Sequence, residues 1–141
     1  MVLLSYQHGV YQNIFHLVWQ TKYRYKMMKQ EKYRLEVDRI IRDVAKRHQI
    51  ELVELSVMED HVHALTSCHP TMSQSKALNL LKGASARAIF QTYPNMRLRY
   101  PRGHFWSGGK TGRTVGDVAQ ETVREYVRQQ AEQTSLTDFS S

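Results

Sequence analysis

His61-Val62-His63 is the pair in this chain whose types and spacing suit a metal ion. Residues i and i+2 of a β-strand point to one face, so on a strand the two imidazoles project side by side. At a rise of about 3.3 Å per residue their Cα atoms lie about 6–7 Å apart, close enough to share one ion. The plain alternative is two surface histidines that happen to alternate. Tyr126 and Gln130 form a second pair. Four residues apart on a helix, they lie nearly above one another on one face. A phenol hydroxyl attacks phosphorus competently when a metal polarises the phosphate, and the ester formed retains the bond energy. A glutamine carbonyl oxygen can serve as a neutral third ligand. Here the plain alternative is a ring packed beside Val123 and Val127, with the glutamine in solvent. Neither pair is specific alone.

Cations and aromatic rings interleave in two further stretches. Lys22, Arg24 and Lys26 alternate with Tyr23 and Tyr25, and Arg97, Arg99, Arg102, His104 and Lys110 gather around Tyr100, Phe105 and Trp106. Single-stranded nucleic acid is bound by this mixture, cations meeting phosphates and rings meeting unstacked bases. The competing reading is a solvated loop whose rings fold into the core, Trp106 first among them. Lys82 and Arg87 either flank the nucleic acid or face solvent. The charge balance points the same way: 20 Lys and Arg against 13 Asp and Glu leave +7 on 141 residues, which favours a polyanionic partner. A membrane is the weaker choice, because no apolar run approaches the roughly 20 residues a span needs. The first ten residues also lack the basic head and apolar stretch of a secretory signal. Cys68 is the sole cysteine, so no intrachain disulfide forms and a reducing cytoplasm is the expected compartment.

These residues need elements to hold them. Residues 13–19 alternate as a strand, with Ile14, His16 and Val18 on one face. After a basic stretch over 21–30, the stripe Tyr33, Val37, Ile40, Ile41, Val44 predicts a helix over 31–48. Residues 50–58 and 61–67 read as strands joined at Glu59-Asp60 into a hairpin. Ser73 or Ser75 caps the next helix, which ends near Tyr93 because Pro94 disfavours helical geometry in the residue before it. Residues 94–104 read as a basic loop, 105–115 as a fourth strand despite its glycines, and 117–133 as a last helix opened by Asp117 and Gln120. The expectation is one α+β domain over residues 1–133, a ferredoxin-like (RRM-like) sandwich with two helices on one face of an antiparallel sheet, and a frayed tail over 134–141.

Taken together, these segments resemble the single-tyrosine HUH transposases of insertion sequences, the transposase A type, which act on single-stranded DNA. Leu17 to Arg24 is similar to that family's first strand and basic exit, and Met58-Glu59-Asp60-His61-Val62-His63 to its metal-binding signature, where Pro is common at the position of Glu59. Leu81 to Arg87 resembles its second helix, Gly103 to Ser107 the segment before the last strand, and Thr122 to Gln130 the nucleophile helix. The resemblance implies that His61, His63 and Gln130 bind Mg²⁺ or Mn²⁺; Gln129 is the neighbouring choice, three residues from Tyr126. It implies that Tyr126 attacks the scissile phosphate to give a 5′-phosphotyrosine and a free 3′-OH, and that a second 3′-OH reverses the step. The implied substrate is DNA with a hairpin near each element end. The implied assembly is a homodimer whose tyrosine helix serves the partner's histidines. Lys22, Arg24, Lys26, Lys82, Arg87, Arg99, Arg102 and Lys110 are the expected DNA contacts. Gly108-Gly109-Lys110-Thr111-Gly112 is richer in glycine than the family's pattern, yet lacks the spacing of a phosphate-binding Walker loop.

Other readings compete. His61, His63, Cys68 and His69 are four donors close in sequence, which suggests a structural zinc site, although the spacing is unlike the usual modules. A ferredoxin-like sheet with exposed rings also serves noncatalytic RNA- and DNA-binding modules. Replication-initiating and relaxase nucleases share the HUH chemistry, but their chains are usually longer.

Overall fold

Alternation of apolar side chains builds the sheet. In strand β1 (Asn13–Gln20), Phe15, Leu17 and Trp19 are buried in the core while His16 and Val18 face the other way. The computed structural model describes residues 13–108 and 112–114. Helix α1 (Glu31–Arg47) follows β1, then the hairpin of β2 (Glu51–Val57) and β3 (His61–Cys68), then helix α2 (Gln74–Thr92) and a short β4 (Gly112–Thr114). The sheet order is β2-β3-β1-β4, with every neighbouring pair antiparallel. Among the described residues, no helix is long and apolar enough to cross a membrane.

Each helix is set by its own apolar stripe. Val37, Ile40, Ile41 and Val44 recur at helical spacing along α1 and are buried against the sheet's core face with Ala77, Leu78, Leu81 and Ile89 of α2. Ser73 caps α2, its hydroxyl accepting from the Lys76 backbone N–H at 3.1 Å. Tyr93 leaves the helix with ψ 75°, as the residue before a proline must. On β3, Val62, Ala64 and Cys68 join the core, so His61, His63 and Leu65 fall on the opposite face. The register sets Val18 beside His63 and Gln20 beside His61.

Two expectations for the later part of the chain need correction. Residues 94–104 are not a plain basic loop: Pro94–Leu98 winds into a 3₁₀ turn, and Met96 and Tyr100 are buried. Nor does a strand begin at Phe105. Residues 105–107 run beside the exit of β1, with Lys22 N–H donating to Phe105 O at 2.9 Å and Ser107 N–H to Gln20 O at 2.8 Å, an isolated bridge at Trp106 and not a strand; the described strand β4 pairs with β1 over Gly112–Thr114. Phe105 and Trp106 are core residues, and the Trp106 indole N–H donates to the Ser85 hydroxyl at 2.9 Å. The expected last helix over 117–133 and the tail over 134–141 lie outside the described residues.

Candidate metal and nucleic-acid site

The strand pairing that buries Val62 turns His61 and His63 outward together. Their ring centroids are 5.0 Å apart, with planes at 76°. With a nitrogen-to-metal distance of about 2.1 Å, two imidazoles on one ion hold their centres roughly 5 Å apart, so the spacing fits a shared ion. The neighbouring Asp60 sharpens that fit. Its Oδ1 lies 2.7 Å from His61 Nδ1. A carboxylate only accepts, so the proton sits on Nδ1 and the Nε2 lone pair is left for a ligand, as in a carboxylate–histidine–metal arrangement. Asp60 is in turn paired with Arg24 Nε at 3.5 Å. The His61 hydrogen bond, helped by Arg24 and opposed by burial, holds the Asp60 carboxyl below the usual range. Burial, with His61 and His16 nearby, pushes the His63 pKa down, which favours the neutral imidazole. His16 stacks on His63 at 5.6 Å between centroids, so it packs against the pair as a neighbour on the same face.

The four-donor zinc reading fails on strand period. Cys68 is an odd number of residues from both His61 and His63 along β3, so it points to the other face and lies buried in the core. His69 instead contacts the Thr71 hydroxyl at 2.8 Å. Among the described residues no group of three or more His, Cys, Asp or Glu side chains is placed to hold a metal. Tyr126, Gln130 and Lys110 lie outside the described residues.

Two clefts meet beside the histidines. One, of about 320 Å³, is lined by Val18, Gln20, Arg24, His61, His63 and Lys82. The other, of about 520 Å³, is a basic groove carrying Lys22, Lys82, Arg87, Arg97 and His104. Lys82, Ser107 and Gly108 line both, so the histidine cleft opens into the groove. Of the expected DNA contacts, Lys22, Arg24, Lys82 and Arg87 are thus brought together. Lys26 pairs with Glu59 at 3.7 Å and, with Arg99, lines a separate hollow beside Tyr93. Arg99 lies 4.4 Å above the Tyr25 ring, and Arg102 is exposed without lining either cleft. For Tyr100, Phe105 and Trp106 the sequence left a nucleic-acid surface and the core both open; all three are buried in the core, with Phe105 and Trp106 also bordering the basic groove. The role of Asp60 was the residue missed, although an acidic side chain directly before His-x-His was a readable signal.

The family model described as "Transposase IS200 like" matches residues 9–130. The chain belongs to the IS200-like transposase family. The matched span takes in Tyr126 and Gln130. This transposase is 34% identical over 121 residues to the ISDra2 transposase TnpA of Deinococcus radiodurans, covering 86% of each chain. It is 28% identical over 122 residues to the transposase of insertion sequence element IS200 from Salmonella typhimurium, covering 86% of this chain and 79% of that one. A crystal structure described as a transposase of Deinococcus radiodurans matches with a TM-score of 0.68 and 32% identity, over 85% of this chain and 92% of the other. DNA is accordingly the partner of this transposase, and the α+β sheet with its two helices is the architecture of a transposase neighbour.

Proposed function

We propose that this transposase cleaves and rejoins single-stranded DNA at the histidine cleft through a tyrosine ester, with a divalent ion, Mg²⁺ or Mn²⁺. The observation that carries the reading is the outward pair His61 and His63, with Asp60 fixing one of them, at the end of a basic groove. In this reading His61, His63 and Gln130 would hold the ion, whose charge would polarise the nonbridging oxygens of the scissile phosphate. Lys22, Lys82 and Arg87 bind the flanking phosphates along the groove, which orients the strand before any bond changes. The Tyr126 hydroxyl oxygen forms the new bond to phosphorus as the bond to the 3′ oxygen breaks. The phenol proton is lost, and the departing oxygen is protonated to a free 3′-OH. Attack by a second 3′-OH on the 5′-phosphotyrosine returns the phenol and joins new ends, so the bond energy is conserved. Sheet order β2-β3-β1-β4 with two packed helices supports the ferredoxin-like arrangement, in which a further helix carries Tyr126 to the sheet's outer face. Terminal hairpins as substrate, a homodimer with shared active sites and a cytoplasmic setting belong to the same proposal.

The test is a denaturing gel of labelled single-stranded DNA bearing the element's end hairpin, incubated with Mn²⁺ or Mg²⁺. Wild type should give a covalent protein–DNA adduct, lost in Tyr126→Phe and in His61→Ala, with binding retained by Tyr126→Phe. Binding without an adduct, identical in all three proteins, would overturn catalysis in favour of a noncatalytic single-strand binder.

A further inference from the structure

Beside the two clefts the backbone adopts a conformation that side chains rarely accept. Tyr23 (φ 61°) and Arg24 (φ 54°) are consecutive left-handed residues, neither of them glycine. Such geometry persists only where the surroundings over-determine it, and it concentrates at ligand sites. Here Arg24 N–H donates to Thr21 O and Lys22 N–H to Phe105 O, both at 2.9 Å, while the Thr21 hydroxyl donates to Tyr25 O at 2.6 Å. As a result three successive side chains diverge. Lys22 enters the basic groove and Arg24 the histidine cleft. Tyr23 is left 65% exposed.

The exposed ring is nevertheless backed. Its centroid lies 5.4 Å from that of Tyr25 and 6.4 Å from that of Tyr100. Tyr100 is buried and donates its hydroxyl to Lys22 O at 2.9 Å, so the support is anchored to the same turn. Lys22 Nζ stands 5.5 Å from the Tyr23 ring centre. An open aromatic face on rigid support, with cations on either side along the chain, matches what an unpaired base between two phosphates requires.

We infer that Tyr23 is a stacking platform for one unpaired base of the DNA strand at the turn whose neighbouring side chains, Lys22 and Arg24, enter the basic groove and the histidine cleft. The inference rests on the single-strand reading above. Every base has a π-face, so this contact supplies affinity and register and no choice of sequence.

Fluorescence anisotropy with labelled oligothymidylate of roughly 12 nucleotides, and with an abasic strand of equal length, tests it. Tyr23→Phe should bind the base-bearing strand as wild type does, and Tyr23→Leu about 10-fold or more weakly. The slope of log K against log salt should be the same in both variants, because losing a stack releases no counterions. Wild-type preference for the base-bearing strand over the abasic one should shrink by the same factor in Tyr23→Leu. If wild type binds the strand and Tyr23→Leu matches it, the platform is wrong while the single-strand reading stands. A loss that comes with a shallower salt slope, or equally on the abasic strand, also overturns it. Failure of wild type to bind any single strand removes both.

Discussion

Lys82 Nζ donates to the carbonyl oxygen of Ser107 across 2.7 Å, tying the middle of α2 to the segment that borders both clefts. The acceptor is neutral, so this bond aims the ammonium without opposing its charge. Burial pushes the Lys82 pKa down, a cost that an anion in either cleft would offset. Lys82→Met should weaken single-stranded DNA binding and reduce the salt slope by about 1. Lys82→Arg should keep the slope. Titrations between low and moderate salt check this, and an unchanged slope in Lys82→Met would remove Lys82 from the phosphate contacts.

Asp60 holds His61 Nδ1, and its backbone carbonyl separately accepts from Thr21 N–H at 2.9 Å. Asp60→Ala deletes the first contact and spares the second. Affinity for Mn²⁺, read by calorimetry, should fall about 10- to 100-fold, the usual effect of losing an outer partner of a metal-bound histidine. Equal affinity in the two proteins would mean that Asp60 serves Arg24 alone.

The Trp106 indole N–H is buried and donates to Ser85, itself fully buried. Ser85→Ala leaves that donor without its acceptor, which costs about 1–3 kcal/mol. Urea unfolding should show a lower midpoint at unchanged slope. A midpoint equal to wild type would show that another acceptor takes over.

Burial pushes the Tyr100 hydroxyl up to about 12 from 10.0. Tyrosine is charged when deprotonated, so the fold favours the neutral form. The contribution is whole below pH 10, where the unfolded chain is also neutral, and is lost as pH rises from about 10 to 12. Tyr100→Phe should be less stable at neutral pH by about 1 kcal/mol, for the lost hydrogen bond to Lys22 O. Between pH 10 and 12 its stability should fall less steeply than that of wild type. Parallel pH profiles would contradict this.

Much of the scaffold was legible because it is local. Period two placed His61 and His63 on one face, and period 3.6 marked Val37, Ile40, Ile41 and Val44 as one stripe; both follow from backbone geometry within a single window. Ser73 and Pro94 bounded α2 for the same kind of reason. The resemblance to the transposase family was carried separately, by the paired histidines, the Tyr126 and Gln130 pair and the order of five matching segments.

Tertiary structure decided which distant segments meet. Tyr100, Phe105 and Trp106 read either as nucleic-acid rings beside their basic neighbours or as core residues, and they fill the space between α2 and the exit of β1. Burying such large rings outweighs their local charge context, and nothing within residues 97–110 reveals the cavity awaiting them. Likewise Lys26 and Arg99 look equivalent to Lys22 and Lys82 in composition, but chain geometry sends the first two to a separate hollow. The meeting of the histidine cleft with the basic groove depends on Gln20 pairing with His61 and Ser107 returning to Gln20. Those contacts join residues 41 and 87 positions apart, and their register is set by packing across the whole sheet.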